Sequence, residues 1–400
     1  MKNKLFFLIS ISIIARLFSI YLFGAKEISN EWGVMVSIME DHQMIGFRKI
    51  EGEIMPNIFM PPLYPIFLYL IKIFFYNLNY YLLTIQLIQL IFSIVSIIYL
   101  IKILSEFFSK KITYIGACIF ALFPLNVYAI SQISSVTIQI LLIIFYMYYF
   151  IKSLKNNTKK NIILFSVSSA CLILLRGEFF IFYLITLLFF FLKKKINLII
   201  SSLLITLLLI SPYIIRNYYI FKVITITKSS GFNLFKGNNP LSKVEGIPML
   251  DDVEKISKDT YEKIKKIKPQ PKYDLIIDNL YKEEAIKFII DNPMRYLKLY
   301  ISKFFSFLFI DLDSSYPNYY NIFHIFPKIL ISIPTLLGVL FLINKKNILT
   351  FFAIYYLLSG FIFSIFFILP RYNLALLPIQ VTLTCYFLQN LPKKNLYKYF

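Results

Sequence analysis

The chain has 400 residues, 58% of them hydrophobic, with a mean hydropathy of +0.70 and a formal charge of +21. Apolar runs close to twenty residues long exclude an ordinary soluble globule, in which polar faces interrupt such runs. The charge would suit nucleic acid in a soluble protein, but here the lysines cluster in short loops between apolar runs, as the positive-inside rule requires, so no nucleic acid partner is expected. The expected fold is an all-α polytopic membrane protein with about ten transmembrane helices (nine to twelve), and interfacial helices in a first outer loop and in a large extracytoplasmic loop.

In chain order, residues 5–24 form the first span, with Lys2 and Lys4 holding the N-terminus in the cytoplasm. Arg16 in the middle of this segment, and the lack of a small-x-small site before Lys26, argue against a cleaved signal peptide. Residues 25–61 are polar and expected outside. Within them Trp32, Met35, Val36 and Met39 share one helical face while Glu31, Glu40 and Asp41 lie off it, the pattern of a helix resting on a membrane surface. The segment Pro61–Phe75 would be roughly 22 Å long as a helix, against a hydrocarbon core of about 30 Å, and it carries Lys72. If it does not cross, spans at 80–104, 112–131, 135–152, 161–175, 179–192 and 196–215 put Lys110, Lys111, the Lys152–Lys160 cluster and Lys193–Lys195 in the cytoplasm. If it crosses, all three clusters fall outside, so it is read as half-inserted or interfacial.

These assignments divide the chain into a seven-span membrane module over 1–215 that includes the first outer loop 25–79, an extracytoplasmic loop over 216–311, and C-terminal membrane helices over 312–400. In the large loop, Ile277, Leu280, Tyr281, Ala285, Phe288 and Ile289 form the apolar side of a second surface helix, ended at Asn292 and Pro293. Residues 296–310 carry Lys298 and Lys303 and are placed at the interface; spans at 325–343, 348–369 and 372–390 then put Lys345, Lys346, Lys393 and Lys394 inside. Of 21 acids only Glu106 falls on the cytoplasmic side. Cys118, Cys171 and Cys385 sit in apolar runs as packing residues rather than as a disulfide framework.

Lysine supplies 36 of the 42 basic residues, so the six arginine positions carry the more information. Arg48, Arg176, Arg216, Arg295 and Arg371 fall at or beyond the outer boundary. A guanidinium fork binds phosphate oxygens bidentately, and at the bilayer edge it meets lipid phosphate; arginines at helix ends also snorkel and pair with acids such as Glu178. Arg176, in LLRGEFF, sits where two apolar segments meet with almost no loop, a costly position unless paired. Glu31, at the start of the first surface helix, is the acid best placed as a general base, although an acid there also complements the helix N-terminus; Glu40 and Asp41 are the reserves. KGNNP, Lys236–Pro240, is a turn-forming cluster that lacks the glycine spacing and following helix of a phosphate loop. His42 and His324 have no ligand spacing, so no metal site and no cofactor are indicated, and dependence on a divalent ion is left open.

These segments, in this order, resemble bacterial membrane glycosyltransferases of the C type, related to protein O-mannosyltransferases and the lipid A aminoarabinose transferase. The likeness takes in Glu31 after the first span, MPPLYPIFLYL at Met60–Leu70, ALFPLNVYAIS at Ala121–Ser131, LLRGE at Leu174–Glu178, SPYIIRNYYIF at Ser211–Phe221, GFNLFKGNNP at Gly231–Pro240, the surface helix ending DNPMRYLKLYISKF, and PRYNLALLP at Pro370–Pro378. The resemblance implies a seven-span module, a first outer loop bearing the catalytic acid, and a large outer loop after the seventh span. It gives Glu31 the place of that acid, and Arg176, Arg216 and Arg371 those of basic residues near the donor phosphate or the helix ends beneath it. Tyr372 is counted with that set, while Asn217, Lys236, Asn238 and Asn239 fall in the family's loop pattern. The chain departs from the pattern at Val136, near an acid usual after ALFPLNVY, and at Glu31, where Asp is commoner.

The implied reaction is transfer of a sugar, with inversion, from a polyprenyl-phosphate-linked donor to a lipid, glycan or protein acceptor on the extracytoplasmic face of a bacterial inner membrane. The partners are therefore that donor, an envelope acceptor and the surrounding lipids. An O-antigen polymerase or ligase, and a transporter or flippase of lipid-linked sugars, are the alternatives. The acidic loop after the first span argues against the former, and the scarcity of intramembrane charge against the latter.

Overall fold

A computed structural model describes residues 2–75, 80–246, 253–316, 318–343, 345 and 347–391. Helix α1 (Lys2–Phe23) leads into α2 (Asn30–His42), a hairpin of β1 (Phe47–Ile50) and β2 (Glu53–Pro56), and the short α3 (Leu63–Phe74). There follow α4 (Tyr81–Ser105), α5 (Lys110–Leu122), α6 (Pro124–Ala129), α7 (Val136–Lys155), α8 (Lys159–Leu175), α9 (Phe179–Leu192) and α10 (Ile196–Phe221). The large loop folds into α11 (Ser230–Gly237), α12 (Val253–Ile256), α13 (Lys258–Lys265), α14 (Tyr273–Asp291) and α15 (Pro293–Leu308). The chain ends with α16 (Ile322–Leu342), α17 (Ile348–Ser364), α18 (Pro370–Ala375) and α19 (Leu377–Asn390). Among the described residues five helices, α1, α4, α7, α10 and α16, are long and apolar enough to cross a bilayer, and α3, α9 and α17 are shorter apolar helices. The protein is an all-α multi-pass membrane protein.

Prolines explain most of the differences from the expected spans. The 112–131 segment is two helices, because Pro124 has no N–H to continue α5 and instead starts α6 after an extended Phe123. The 372–390 segment is likewise split, into α18 and α19, with Pro378 in the first turn of α19. The 348–369 segment stops being helical at Ser364. Pro212, by contrast, does not end its helix: Ser211 Oγ donates to the Leu208 carbonyl at 3.0 Å, the acceptor that the proline nitrogen leaves without its hydrogen. Helix α10 therefore runs to Phe221, and Arg216 and Asn217 belong to its last turns rather than to the loop. The hairpin was not expected; Glu51 and Gly52 make its turn with φ of 51° and 88°, the positive values that a type I′ turn requires. Lys346, Lys393 and Lys394 lie outside the described residues.

Two features show how the bundle tolerates polar groups. Arg16 is fully buried in α1, where its guanidinium donates to Ser93 Oγ of α4 at 2.9 Å, to the Ala121 carbonyl of α5 at 2.8 Å, and to Ser12 one turn back. Glu106, the lone acid at the lysine-rich end, accepts from Lys152 at 2.6 Å and Lys155 at 2.7 Å, which brings the last turns of α4 and α7 together. Close helix approach relies on small residues. A Cβ on Gly338 of α16 would run into the backbone carbonyl of Leu383 in α19. Replacing Gly338 by alanine is accordingly expected to cost about 1–3 kcal/mol through overpacking, seen as a lower thermal unfolding midpoint in detergent. An unchanged midpoint would mean that α16 and α19 separate freely.

Candidate active site

The first loop and the large loop meet at one end of the bundle and are joined by specific polar contacts. Arg48 of β1 forms an ion pair with Asp274 of α14, whose other carboxylate oxygen accepts from Ile58 N at 3.0 Å. The Ile58 carbonyl in turn accepts from Lys228 N at 2.8 Å. Arg216 forks from the end of α10 onto the Gly46 carbonyl and, at 3.0 Å, the Asn57 carbonyl, with Asn217 Oδ1 a third acceptor at 2.7 Å. Asn217 donates to the Thr225 and Ile226 carbonyls at 2.8 and 3.0 Å, closing the loop behind it. Helix α11 lies on α14 with Gly231 against the Asp278 carbonyl, where no Cβ fits, and Phe232 N donates to Asp278 Oδ1 at 2.9 Å.

Between this cap and the membrane helices lies an open cavity of about 2710 Å³. Glu31 of α2, Arg176 and Glu178 between α8 and α9, Lys236 of α11, and Arg371 and Tyr372 of α18 all line it, as does Arg48. Its membrane-side walls are apolar, formed by residues such as Phe18 and Leu22 of α1, Ile181 of α9, and Ile210 and Ile214 of α10. Arg176 Nε donates to Glu178 Oε1 at 2.7 Å, and its guanidinium lies 5.2 Å from the centre of the Tyr372 ring, itself stacked 5.1 Å from Phe363.

The Arg371 guanidinium also lies 5.8 Å from the centre of the Tyr372 ring, and Lys236 Nζ lies 5.0 Å from the centre of the Phe367 ring. Among the described residues neither cation has a hydrogen-bond or ion-pair partner. Burial and then the charge of Arg371 lower the Lys236 pKa below the usual lysine value, while Glu31 acts in the opposite direction. The acid and the two cations therefore share one electrostatic environment, which an anion entering the cavity would favour.

The structure thus brings together Glu31, Arg176, Lys236, Arg371 and Tyr372 from well-separated stretches of sequence. It does not bring Arg216 and Asn217 to the cavity, because both are occupied in joining the loops. Asn238 is buried and donates to the Leu234 and Ile365 carbonyls, and Asn239 donates to the Phe235 carbonyl at 2.8 Å, so this pair terminates α11 and ties it to the segment before α18. Glu40 pairs with Lys72 away from the cavity, and Asp41 is exposed. Sequence reasoning missed Asp274 and Asp278, both fully buried. The signal was their i, i+4 spacing on the same helical face as Ile277, Tyr281 and Ala285. Among the described residues no group of three or more His, Cys, Asp or Glu side chains converges to hold a metal ion.

The Arg216 fork yields a direct test. In Arg216→Lys one ammonium cannot reproduce a planar fork onto two carbonyls, so a loss of about 1–3 kcal/mol is expected, with faster amide exchange across residues 46–57. Unaltered exchange there would show that the hairpin is held by other contacts.

No protein-family model and no curated protein matches the sequence. The fold is similar to that in a crystal structure of the Archaeoglobus fulgidus oligosaccharyltransferase, tethered through a disulfide bond to an acceptor peptide containing the NVT sequon. The TM-score is 0.54 at 12% identity, over 96% of this chain and 49% of that one. The chain spans about half the length of that protein and, over nearly all of its own length, shares its membrane fold.

Proposed function

We propose that the protein is a membrane glycosyltransferase that moves a sugar from a polyprenyl-phosphate-linked donor to a lipid, glycan or protein acceptor on the extracytoplasmic face of a bacterial inner membrane. The observation that carries this reading is the shared cavity, in which a carboxylate, Glu31, and two cations with no hydrogen-bond or ion-pair partner among the described residues, Lys236 and Arg371, stand above apolar walls made by membrane helices. A donor of this class has the same order of parts: a hydrocarbon tail, a phosphate and a sugar. Apolar walls suit the tail, the cations suit the phosphate, and Glu31 lies towards the water from which an acceptor arrives. The similarity of fold to an oligosaccharyltransferase supports the same class of reaction.

In the proposed reaction Glu31 takes the proton of an acceptor hydroxyl or amine as that atom attacks the anomeric carbon. The bond from this carbon to the phosphate oxygen breaks, and its electron pair leaves with the lipid phosphate. A single displacement of this kind inverts the anomeric centre. Lys236 and Arg371 stabilise the charge that accumulates on the departing phosphate, so little acid catalysis of departure is needed. Arg176, held by Glu178 and Tyr372, adds fixed positive charge at the cavity wall.

Purified protein supplied with radiolabelled polyprenyl-phosphate sugars and cell-envelope acceptors is expected to transfer label. Glu31→Gln should lower kcat by about 10²–10⁴ and Arg371→Gln should lower kcat/KM by about 10²–10³, both with normal insertion. Full activity in the Glu31→Gln protein would remove Glu31 as the base. Folded wild type that neither transfers nor hydrolyses any of these donors would turn the reading towards transport of the same lipids.

A further inference from the structure

Between α15 and α16, residues 309–316 and 318–321 border the cavity, to which they contribute Tyr316 and Tyr319. They are tied by few groups. Glu245 Oε1 accepts from Ser315 N at 2.6 Å and Ser315 Oγ at 2.8 Å, Tyr319 Oη accepts from Asp311 N at 2.6 Å, and Tyr320 Oη accepts from Ser314 N at 2.7 Å. Glu245 is also next to both cation-bearing segments. The neighbouring Val244 carbonyl accepts from Ile368 N at 2.9 Å, just before Arg371, and Gly246, at φ 76°, backs onto the Lys236 carbonyl.

At the centre of this knot Glu245 and Asp311, each only 7% exposed, line one small cavity together with Ser314, Tyr319, His324 and Lys328, and each acts on the other's titration. Glu245 Oε2 and Asp311 Oδ2 are buried and have no partner among the described residues. Among the described residues neither carboxyl group forms an ion pair: the nearby Lys243 pairs with Asp313 at 3.6 Å, and Lys328 of α16 donates to the Phe307 carbonyl at 2.9 Å. His324 of α16 is engaged through Nδ1 with the Tyr319 carbonyl at 2.8 Å. Two ionised carboxylates facing each other in this way would be strongly unfavourable, whereas one hydrogen between them satisfies both oxygens.

We propose that Glu245 and Asp311 form a site that binds one proton, and that this proton fastens the Asp311–Tyr316 stretch over the cavity and so fixes the segments that carry Lys236 and Arg371. The direction of titration agrees. Burial, with the neighbouring Glu245 and Asp313, pushes the Asp311 pKa up to about 6. Burial acts the same way on Glu245, but hydrogen bonds led by that from Ser315 hold it below the usual carboxylate range. Asp311 therefore carries the proton and Glu245 the charge. An acid whose pKa is raised by folding contributes stability that is complete below its unfolded value, near 3.8, and is lost as pH rises through about 6. The stretch is fastened in acid and loosened near neutrality. The proton site stands on its own geometry; only its effect on sugar transfer rests on the function proposed above.

The test is hydrogen–deuterium exchange of the full-length protein in lipid nanodiscs at pH 4.5 and pH 8, without substrate and corrected for intrinsic exchange. Protection of residues 311–316 is expected to fall about 30-fold between the two, the part of the stabilisation that a pKa raised from 3.8 to about 6 loses over that range. In Glu245→Gln and in Asp311→Asn an amide N–H supplies the hydrogen at every pH, so the difference should shrink to about threefold or less in each. A pH-independent wild type, or undiminished pH dependence in either folded amide variant, would overturn the proposal. So would protection at pH 8 restored by added Ca²⁺ or Mg²⁺, which would make the site one for a cation. Because the readout needs no donor or acceptor, it is independent of whether the protein transfers sugar.

Discussion

The ion pair between Arg48 and Asp274 sets the geometry on which the cavity depends, because it joins two loops that lie more than two hundred residues apart in the chain. Asp274 is wholly buried, so its charge is tolerable only with the guanidinium and the Ile58 N–H in place. Arg216 does the complementary work with backbone carbonyls. Glu31 follows from the first loop and Lys236 from the second, so without these contacts the acid and the cation would have no common frame. The protein uses its scarce arginines where direction matters and its abundant lysines where only charge matters, as a planar fork and a flexible point charge allow.

Much of the membrane architecture was legible because hydrophobic length and lysine placement are properties of local sequence. The spans expected at 80–104 and 196–215 are close to α4 and the start of α10. What local sequence could not show was the effect of proline in context. Pro124 and Pro212 both follow apolar runs, yet one divides a segment and the other is accommodated: the freed Leu208 carbonyl accepts from Ser211 Oγ within a continuous helix, whereas before Pro124 the chain turns extended at Phe123 and the freed Phe120 carbonyl accepts from Asn126 Nδ2 at 2.9 Å. The hairpin was equally hidden, its four-residue strands being too short to establish an alternation.

The candidate site was legible in its residue types and less so in its assignments. Glu31, Arg176 and Arg371 stand out in the sequence as polar groups at the bilayer edge, and they do share a cavity. Arg216 met the same criterion and has a joining role instead, since carbonyl acceptors carry no signature in the sequence. Lys236 illustrates the opposite case: its turn-forming neighbours Asn238 and Asn239 are structural, while the lysine itself points to the cavity. A similarity of fold at 12% identity is consistent with this division, in which apolar pattern specifies the bundle and a few dispersed groups specify the site.

The buried Arg16 constrains how the protein is assembled. Its partners outside α1 lie 77 and 105 residues further along the chain, in α4 and α5. When α1 first leaves the ribosome those oxygens do not yet exist in the membrane, and a guanidinium at that depth would face hydrocarbon. Full seating of this helix therefore depends on the later helices, because before they arrive only Ser12 of α1 itself accepts from the guanidinium. The order of synthesis and the order of final seating thus differ, since α1 is made before α4 and α5 but settles only with them.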